Sequence, residues 1–222
     1  MGNLLDYIGA QSTVTLDETP FHEVDNLVLS QLSYLLWENG FTGVDCMTVA
    51  QLWRRMNGKL FTQGFTAHND ETLLLLASQS KRFSNVRCCN YVSEFEAAKG
   101  KQFAAISFLL PDDTVFVSFR GTDSSLTGWK EDFYLCLPDP IAAQTRAAEY
   151  LTGIAQTYPL PLRVGGHSKG GNLAVYASSL VSDGIQERLL DVYNNDGPGL
   201  STEVFSGEGY QRIKSRVHTF VP

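Results

Sequence analysis

Residues 162–172 read LRVGGHSKGGN: a short apolar run, two glycines, His-Ser-Lys, then two more glycines leading into NLAVYASSLVS. Gly166-His167-Ser168-Lys169-Gly170 is a G-x-S-x-G pattern. Three fixed positions say little alone; their setting, an apolar strand-like run before and a helical stretch after, says more. A serine on such a turn is held in a strained conformation that lifts its hydroxyl above the sheet, and Cβ atoms at the flanking glycines would strike the neighbouring strand or helix. The pattern predicts Ser168 as a nucleophile. The competing reading is a phosphate loop that uses Gly170-Gly171 at a helix N-terminus, but the G-x-x-x-x-G-K-[ST] pattern is absent. Lys169 enters through its backbone, because the N–H after such a serine forms half of an oxyanion hole. Its ammonium is expected in solvent. His167 is next to Ser168 on a turn that throws neighbouring side chains apart, so it is not expected to act as the base.

The remaining pattern fits an α/β chain. TPFHEVDNLVLSQLSYLLWENG, VDCMTVAQLWRRMNG and NDETLLLLASQS carry apolar residues at helical spacing. The first is expected to start at Thr19-Pro20 and end at Asn39-Gly40, and Asn69 or Asp70 to cap the third. From about residue 85 the period changes. NVRCCNYVSEFEAA, KQFAAISFLL and TVFVSF read as an antiparallel meander, with 114–119 apolar enough to be buried on both faces. Then IAAQTRAAEYLTGIAQ, LRVGG, NLAVYASSLVS, LLDVYNN and RVHTFV alternate helix and strand, which means crossover units and a parallel sheet. The expected organisation is a helical region or cap over 1–80 and a mostly parallel, α/β-hydrolase-type core over 81–222.

Composition excludes some partners. With 17 basic and 24 acidic residues, net charge is −7, which disfavours nucleic acid, bound chiefly by cationic contacts to phosphate. No apolar stretch is long enough to span a bilayer as a helix, and MGNLLDYIGA lacks the basic start of a signal peptide. The cytoplasm is the expected location. Cys46, Cys88, Cys89 and Cys136 have no metal spacing and are expected to be reduced thiols. No metal or organic cofactor is implied, and oligomeric state is left open.

VSFRGTDSSLTGWKEDF (117–133) followed by GGHSKGGNLA (165–174) resembles the class 3, fungal-type lipases of the α/β-hydrolases. More closely, the chain resembles a bacterial branch of lipase-like proteins of unassigned function, to which TPFHEVDNLVLSQLSYL (19–35) is also similar. The resemblance implies an esterase or lipase-like serine hydrolase whose substrate is a lipid or other small ester. It places the second oxyanion-hole donor at Thr122 and matches Trp129 and Asp132 to a lid segment. Arg120 is expected to be structural.

In this fold the chain order is Ser, acid, His. Asp196 ends the strand after the serine helix, in Asn-Asn-Asp-Gly-Pro-Gly, and is the predicted acid; a plain Asp-Gly turn is the bland alternative. The lipases carry an acid before a Val-Pro, where this chain has Thr219. The base is harder to name. His22 and His68 read as surface and loop residues, and His218 is a mid-strand histidine, more often structural than catalytic. A parallel sheet ending on a strand and a proline reads as a truncated form of a longer hydrolase. The alternative is a catalytically incomplete module that binds a lipid or a protein partner.

Overall fold

The computed structural model describes residues 3–35, 45–56, 67–96, 101–122 and 139–221. Seven strands form one sheet in sequential order: β1 (Cys46–Thr48), β2 (Arg87–Glu96), β3 (Lys101–Leu109), β4 (Val115–Phe119), β5 (Leu162–His167), β6 (Leu189–Asn195) and β7 (Val217–Phe220). β1 to β4 are antiparallel and β4 to β7 parallel. The expected meander is present, but the sheet expected to be mostly parallel is mixed, with three antiparallel and three parallel pairings among the described residues. Every residue of β4 is buried, as befits the strand where the two halves of the sheet meet.

The sequential order dictates the layering. Successive parallel crossovers that are all right-handed and all step the same way must put their helices on one face. Those helices are α5 (Ala142–Thr157), α6 (Lys169–Leu180), α7 (Asp183–Gln186), α8 (Thr202–Ser206) and α9 (Glu208–Ile213). Ala147, Leu151, Leu173 and Ile213 form one core with Val117, Phe119, Val164 and Val192 of the sheet. The opposite face then needs a separate cover. It comes from α1 (Leu4–Gln11), α2 (Glu23–Leu32), α3 (Val49–Met56) and α4 (Ala67–Gln79). Leu29, Leu52 and Leu74 share a second core with Cys88, Ile106, Phe116 and Tyr193. α1 to α4 therefore form a layer on the same sheet.

Local chemistry explains the helix starts. Asn3 accepts from the N–H groups of Leu5 and Asp6 at 2.9 and 3.0 Å, and Asp6 returns the bond to Asn3 N–H at 2.9 Å, a reciprocal cap. α2 begins later than Thr19-Pro20 implies, because His22 is its cap: Nδ1 accepts from Val24 N–H at 3.2 Å and Asp25 accepts from His22 N–H at 3.0 Å. His22 also meets Tyr7 Oη at 3.1 Å, so it is not the plain surface residue expected. The predicted end at Asn39-Gly40 lies outside the described residues. α4 starts at Ala67, which places His68, Asn69 and Asp70 within it instead of ahead of it.

One element differs in kind. Residues 46–48 are strand, not helix, and 49–56 are helical. The strand sets Cys46 directly opposite Cys89, with Cα atoms 4.3 Å apart. A close-spaced antiparallel pair brings side chains together, and these two are joined as a disulfide. This corrects the expectation of four reduced thiols. Cys88, on the other face of β2, is a buried free thiol, and burial pushes its ionisation upward. Cys136 lies outside the described residues.

α2 is tied down by a buried ion pair. Asp25 and Arg82 are fully buried and bidentate. Arg82 also donates to the carbonyls of Thr15, Thr19 and Pro20 at 3.1, 2.9 and 3.1 Å. Every guanidinium N–H thus has an acceptor, the condition under which a buried charge is tolerated. Tyr7 adds a hydrogen bond to Asp25 at 2.9 Å; burial, then the Asp25 charge, raises the Tyr7 phenol's pKa.

Candidate active site

β5 ends at His167, and Ser168 follows with φ 56° and ψ −130°. A non-glycine residue with positive φ is uncommon and costs energy, and such residues cluster at functional sites. α6 starts at the next residue. The strand–serine–helix turn is therefore present, with the serine in the strained geometry that its glycines anticipated. Cβ atoms on Gly166 and Gly170 would each strike the Phe119 carbonyl, and Gly166 would also meet Gly170. Glycine at both positions lets β4, the turn and α6 pack this closely. Ser168 is half-buried, and its hydroxyl makes no hydrogen bond to the other described residues.

Lys169 is the first residue of α6, where helix N–H groups lack partners from the preceding turn. Its side chain corrects an expectation. The residue is only 1% exposed, and Nζ donates to the Gln102 carbonyl on β3 at 2.9 Å. The ammonium is a buried tie between helix and sheet. Thr122 follows Arg120-Gly121 beyond the end of β4, the strand beside β5. Trp129 and Asp132 lie outside the described residues.

Asp196 follows β6, the strand on the other side of β5, also with a positive φ, 54°. It is exposed. Its loop is packed against the turn: Ser168 N–H donates to the Asn195 carbonyl at 2.9 Å, and Asn172 of α6 donates to the carbonyls of Pro198 and Gly199 at 3.3 and 2.8 Å. Asn194 holds Gly197 N–H at 2.9 Å. Thus Ser168, Lys169, Thr122 and Asp196 all occur at the carboxyl ends of three adjacent strands, the usual ligand edge of such sheets.

The described histidine rings do not join them at the serine hydroxyl. His218 pairs in register with Tyr193, two residues before the end of β6. Its Nε2 lies 3.0 Å from Asp191 and its ring stacks on Tyr193 at 5.3 Å. That pairing directs it along the sheet face, away from the strand ends. His167 is exposed. Its pKa is lowered by partial desolvation, with the Asp196 charge opposing the shift. Its Nδ1 lies 3.0 Å from Tyr34 Oη.

Two partners of this edge were not foreseen from the sequence. Tyr34, just past α2, reaches the turn across 133 positions of sequence. Asn195 is buried and exchanges side-chain hydrogen bonds with Asn26 of α2 at 2.8 and 3.0 Å, while also donating to the Gly166 carbonyl at 3.1 Å. The only sequence signal is that Asn26 and Tyr34 both fall inside the 19–35 segment of the resemblance. Among the described residues there is no cluster of side chains suited to a metal ion, and no helix is long and apolar enough to cross a membrane.

Comparisons with known proteins follow this geometry. The chain is similar in structure to extracellular lipase LipA from Serratia marcescens, at 14% identity over 88% of this chain and 38% of that one, with a TM-score of 0.44. It is also similar to a fungal lipase in complex with an inhibitor, at 19% identity over 51% of this chain and 48% of that one, with a TM-score of 0.33. The chain spans less than half the length of either. No curated protein matches its sequence. Residues 77–222 match the Mbeg1-like family model, a stretch that takes in β2 to β7, the Ser168 turn and Asp196. The chain belongs to the Mbeg1-like family.

Proposed function

We propose that the chain is a lipase-like serine hydrolase that cleaves carboxylic esters, with lipid acyl esters as the substrate class. The observation that carries this reading is the Ser168 backbone, φ 56° and ψ −130°, between a buried strand and a helix. A strained serine between strand and helix at the ligand edge of a parallel sheet is the setting of a nucleophile elbow. The sequence resemblance to class 3 lipases adds to it.

In the proposed reaction Ser168 Oγ attacks the acyl carbonyl while its proton passes to a histidine base. The developing oxyanion is held by Lys169 N–H and by Thr122. The C–O bond to the alcohol breaks, and the alcohol leaves with the proton. Water then attacks the acyl-enzyme, giving the acid and free Ser168. Asp196 is the proposed acid that orients the base. No described ring makes a hydrogen bond to the Ser168 hydroxyl; His218 meets Asp191 and His167 meets Tyr34. The test is release of 4-nitrophenol from acyl esters of graded chain length by the wild type and by Ser168→Ala. The reading predicts hydrolysis that falls at least a thousandfold in the variant, about the size of removing a catalytic nucleophile. Equal rates would refute it.

A further inference from the structure

Asn195 holds the Ser168 turn from both sides of His167. Its backbone carbonyl accepts from Ser168 N–H at 2.9 Å, and its side-chain amide donates to the Gly166 carbonyl at 3.1 Å. Those two groups belong to the peptide planes that flank His167, so one residue of β6 pins both. Beyond Ser168, the serine carbonyl accepts from Gly171 and Asn172 N–H at 2.8 and 3.4 Å, in the first turn of α6. A backbone at φ 56° and ψ −130° persists only where its surroundings over-determine it. Here α6 holds the peptide after the serine, and Asn195 holds the peptide before it.

The Asn195 amide is itself set by α2. Asn26 and Asn195 are 0% and 2% exposed and face each other as a reciprocal pair. Asn26 Nδ2 donates to Asn195 Oδ1 at 2.8 Å, and Asn195 Nδ2 donates to Asn26 Oδ1 at 3.0 Å. A backbone carbonyl can only accept. The Gly166 carbonyl therefore fixes which end of the Asn195 amide carries its hydrogens, and the Glu23 carbonyl, 3.2 Å from Asn26 Nδ2, does the same for Asn26. Both assignments agree with the reciprocal pair. Ser30 bridges the two amides, donating to Asn26 Oδ1 at 3.2 Å and accepting from Asn195 Nδ2 at 3.3 Å. A Cβ on Gly165 would lie 2.7 Å from Asn26 Oδ1 and 2.8 Å from the Phe116 ring, so glycine at this position leaves room for Asn26 over β5.

We propose that Asn195 and Asn26 are positioning residues for Ser168. Asn195 clamps the turn so that the serine hydroxyl and Lys169 N–H keep one geometry, and Asn26 holds the Asn195 amide in the orientation the clamp needs. The N-terminal helical layer thus acts on the nucleophile through one buried amide pair. The catalytic half of this inference rests on the ester-hydrolase reading, whereas the clamp on the turn does not.

Two measurements on the whole chain separate these halves. The first is amide hydrogen exchange read by 1H–15N NMR. In wild type Ser168 N–H should exchange as slowly as the amides of β5. In Asn26→Ala it should exchange at least about fivefold faster relative to those amides, the worth of one net hydrogen bond. Asn195→Ala, which keeps the carbonyl that accepts Ser168 N–H and removes the side-chain amide, should show the same change. Leu29→Ala removes a fully buried side chain from the same helix and keeps both amides, so it should speed Ser168 and β5 together and leave their ratio unchanged. Free exchange of Ser168 N–H in wild type, or equal ratios in Asn26→Ala and Leu29→Ala, would overturn the clamp. The second measurement is saturation kinetics of 4-nitrophenyl ester hydrolysis. Asn26→Ala and Asn195→Ala should each lower kcat at least about tenfold with KM little changed, the mark of a displaced nucleophile, while Leu29→Ala keeps the wild-type kcat. Wild-type kcat in Asn26→Ala and Asn195→Ala would overturn the positioning role and leave ester hydrolysis intact. Absence of hydrolysis by wild type would overturn the hydrolase reading and the positioning role together, and the exchange ratio would still decide the clamp.

Discussion

Ser168 carries the backbone cost of the candidate site. Its φ of 56° is a conformation that only glycine adopts without strain, and such strain costs about 1–3 kcal/mol. Replacing it with glycine should relieve that strain and return part of the gain as greater freedom of the unfolded chain, about 0.5–1 kcal/mol. Ser168→Gly is therefore expected to be more stable than wild type by about 1 kcal/mol in urea denaturation, and inactive. A variant less stable than wild type would mean that the serine side chain supports the fold. The neighbouring residue carries a different lesson. Lys169 looked like a surface lysine beside a catalytic turn, yet its ammonium is buried against the Gln102 carbonyl. A sequence window around Ser168 contains nothing of β3, so the acceptor that makes this burial tolerable could not be read from it.

At the scale of elements, α2 joins the two halves of the molecule. One end is fixed by Asp25 and Arg82, with all five guanidinium N–H groups used. The middle reaches β6 through Asn26 and Asn195, and Tyr34, just beyond the helix, reaches the turn. Removing one partner of a fully buried ion pair leaves an uncompensated charge and costs about 3–5 kcal/mol. Asp25→Ala should lose about that much in urea denaturation. The double variant Asp25→Leu with Arg82→Met should recover much of it. If Asp25→Ala costs less than 1 kcal/mol, the pair is not buried as described. The elements themselves were mostly legible: β2 to β7, α5 and α6 follow from period and turn residues. The exceptions were local. A three-residue strand at 46–48 is too short to show alternation, and it reads as the start of α3. His22 is an unusual cap, and its role depends on a ring nitrogen that propensity rules do not weigh.

For the whole molecule, the strand order decides what the N-terminal helices are for. A parallel half-sheet that steps one way places its crossover helices on one face, and Ile106, Phe108, Phe116 and Tyr193 on the other face need a cover. The sequence pattern points to helices in 1–80 but not to the surface those helices meet, since the apolar stripe of a cap and that of a core layer look alike. The same distance in sequence hid Tyr34 and Asn195, while the strand-end positions of Ser168, Asp196 and Thr122 could be read from turn chemistry. Residues 81–222 expressed alone are expected to bind a hydrophobic dye strongly and to lack a cooperative melt, because one face of the sheet is bared. A cooperatively melting, dye-silent fragment would instead make the first 80 residues a separable cap.

The central claim is that Ser168 is a nucleophile, and covalent labelling tests it most directly. The 222-residue chain would be incubated with a fluorophosphonate and analysed by intact and peptide mass spectrometry, with Ser168→Ala alongside. The account predicts a single phosphonyl adduct on Ser168 that is absent from the variant. No adduct, or one that persists in Ser168→Ala, would contradict it.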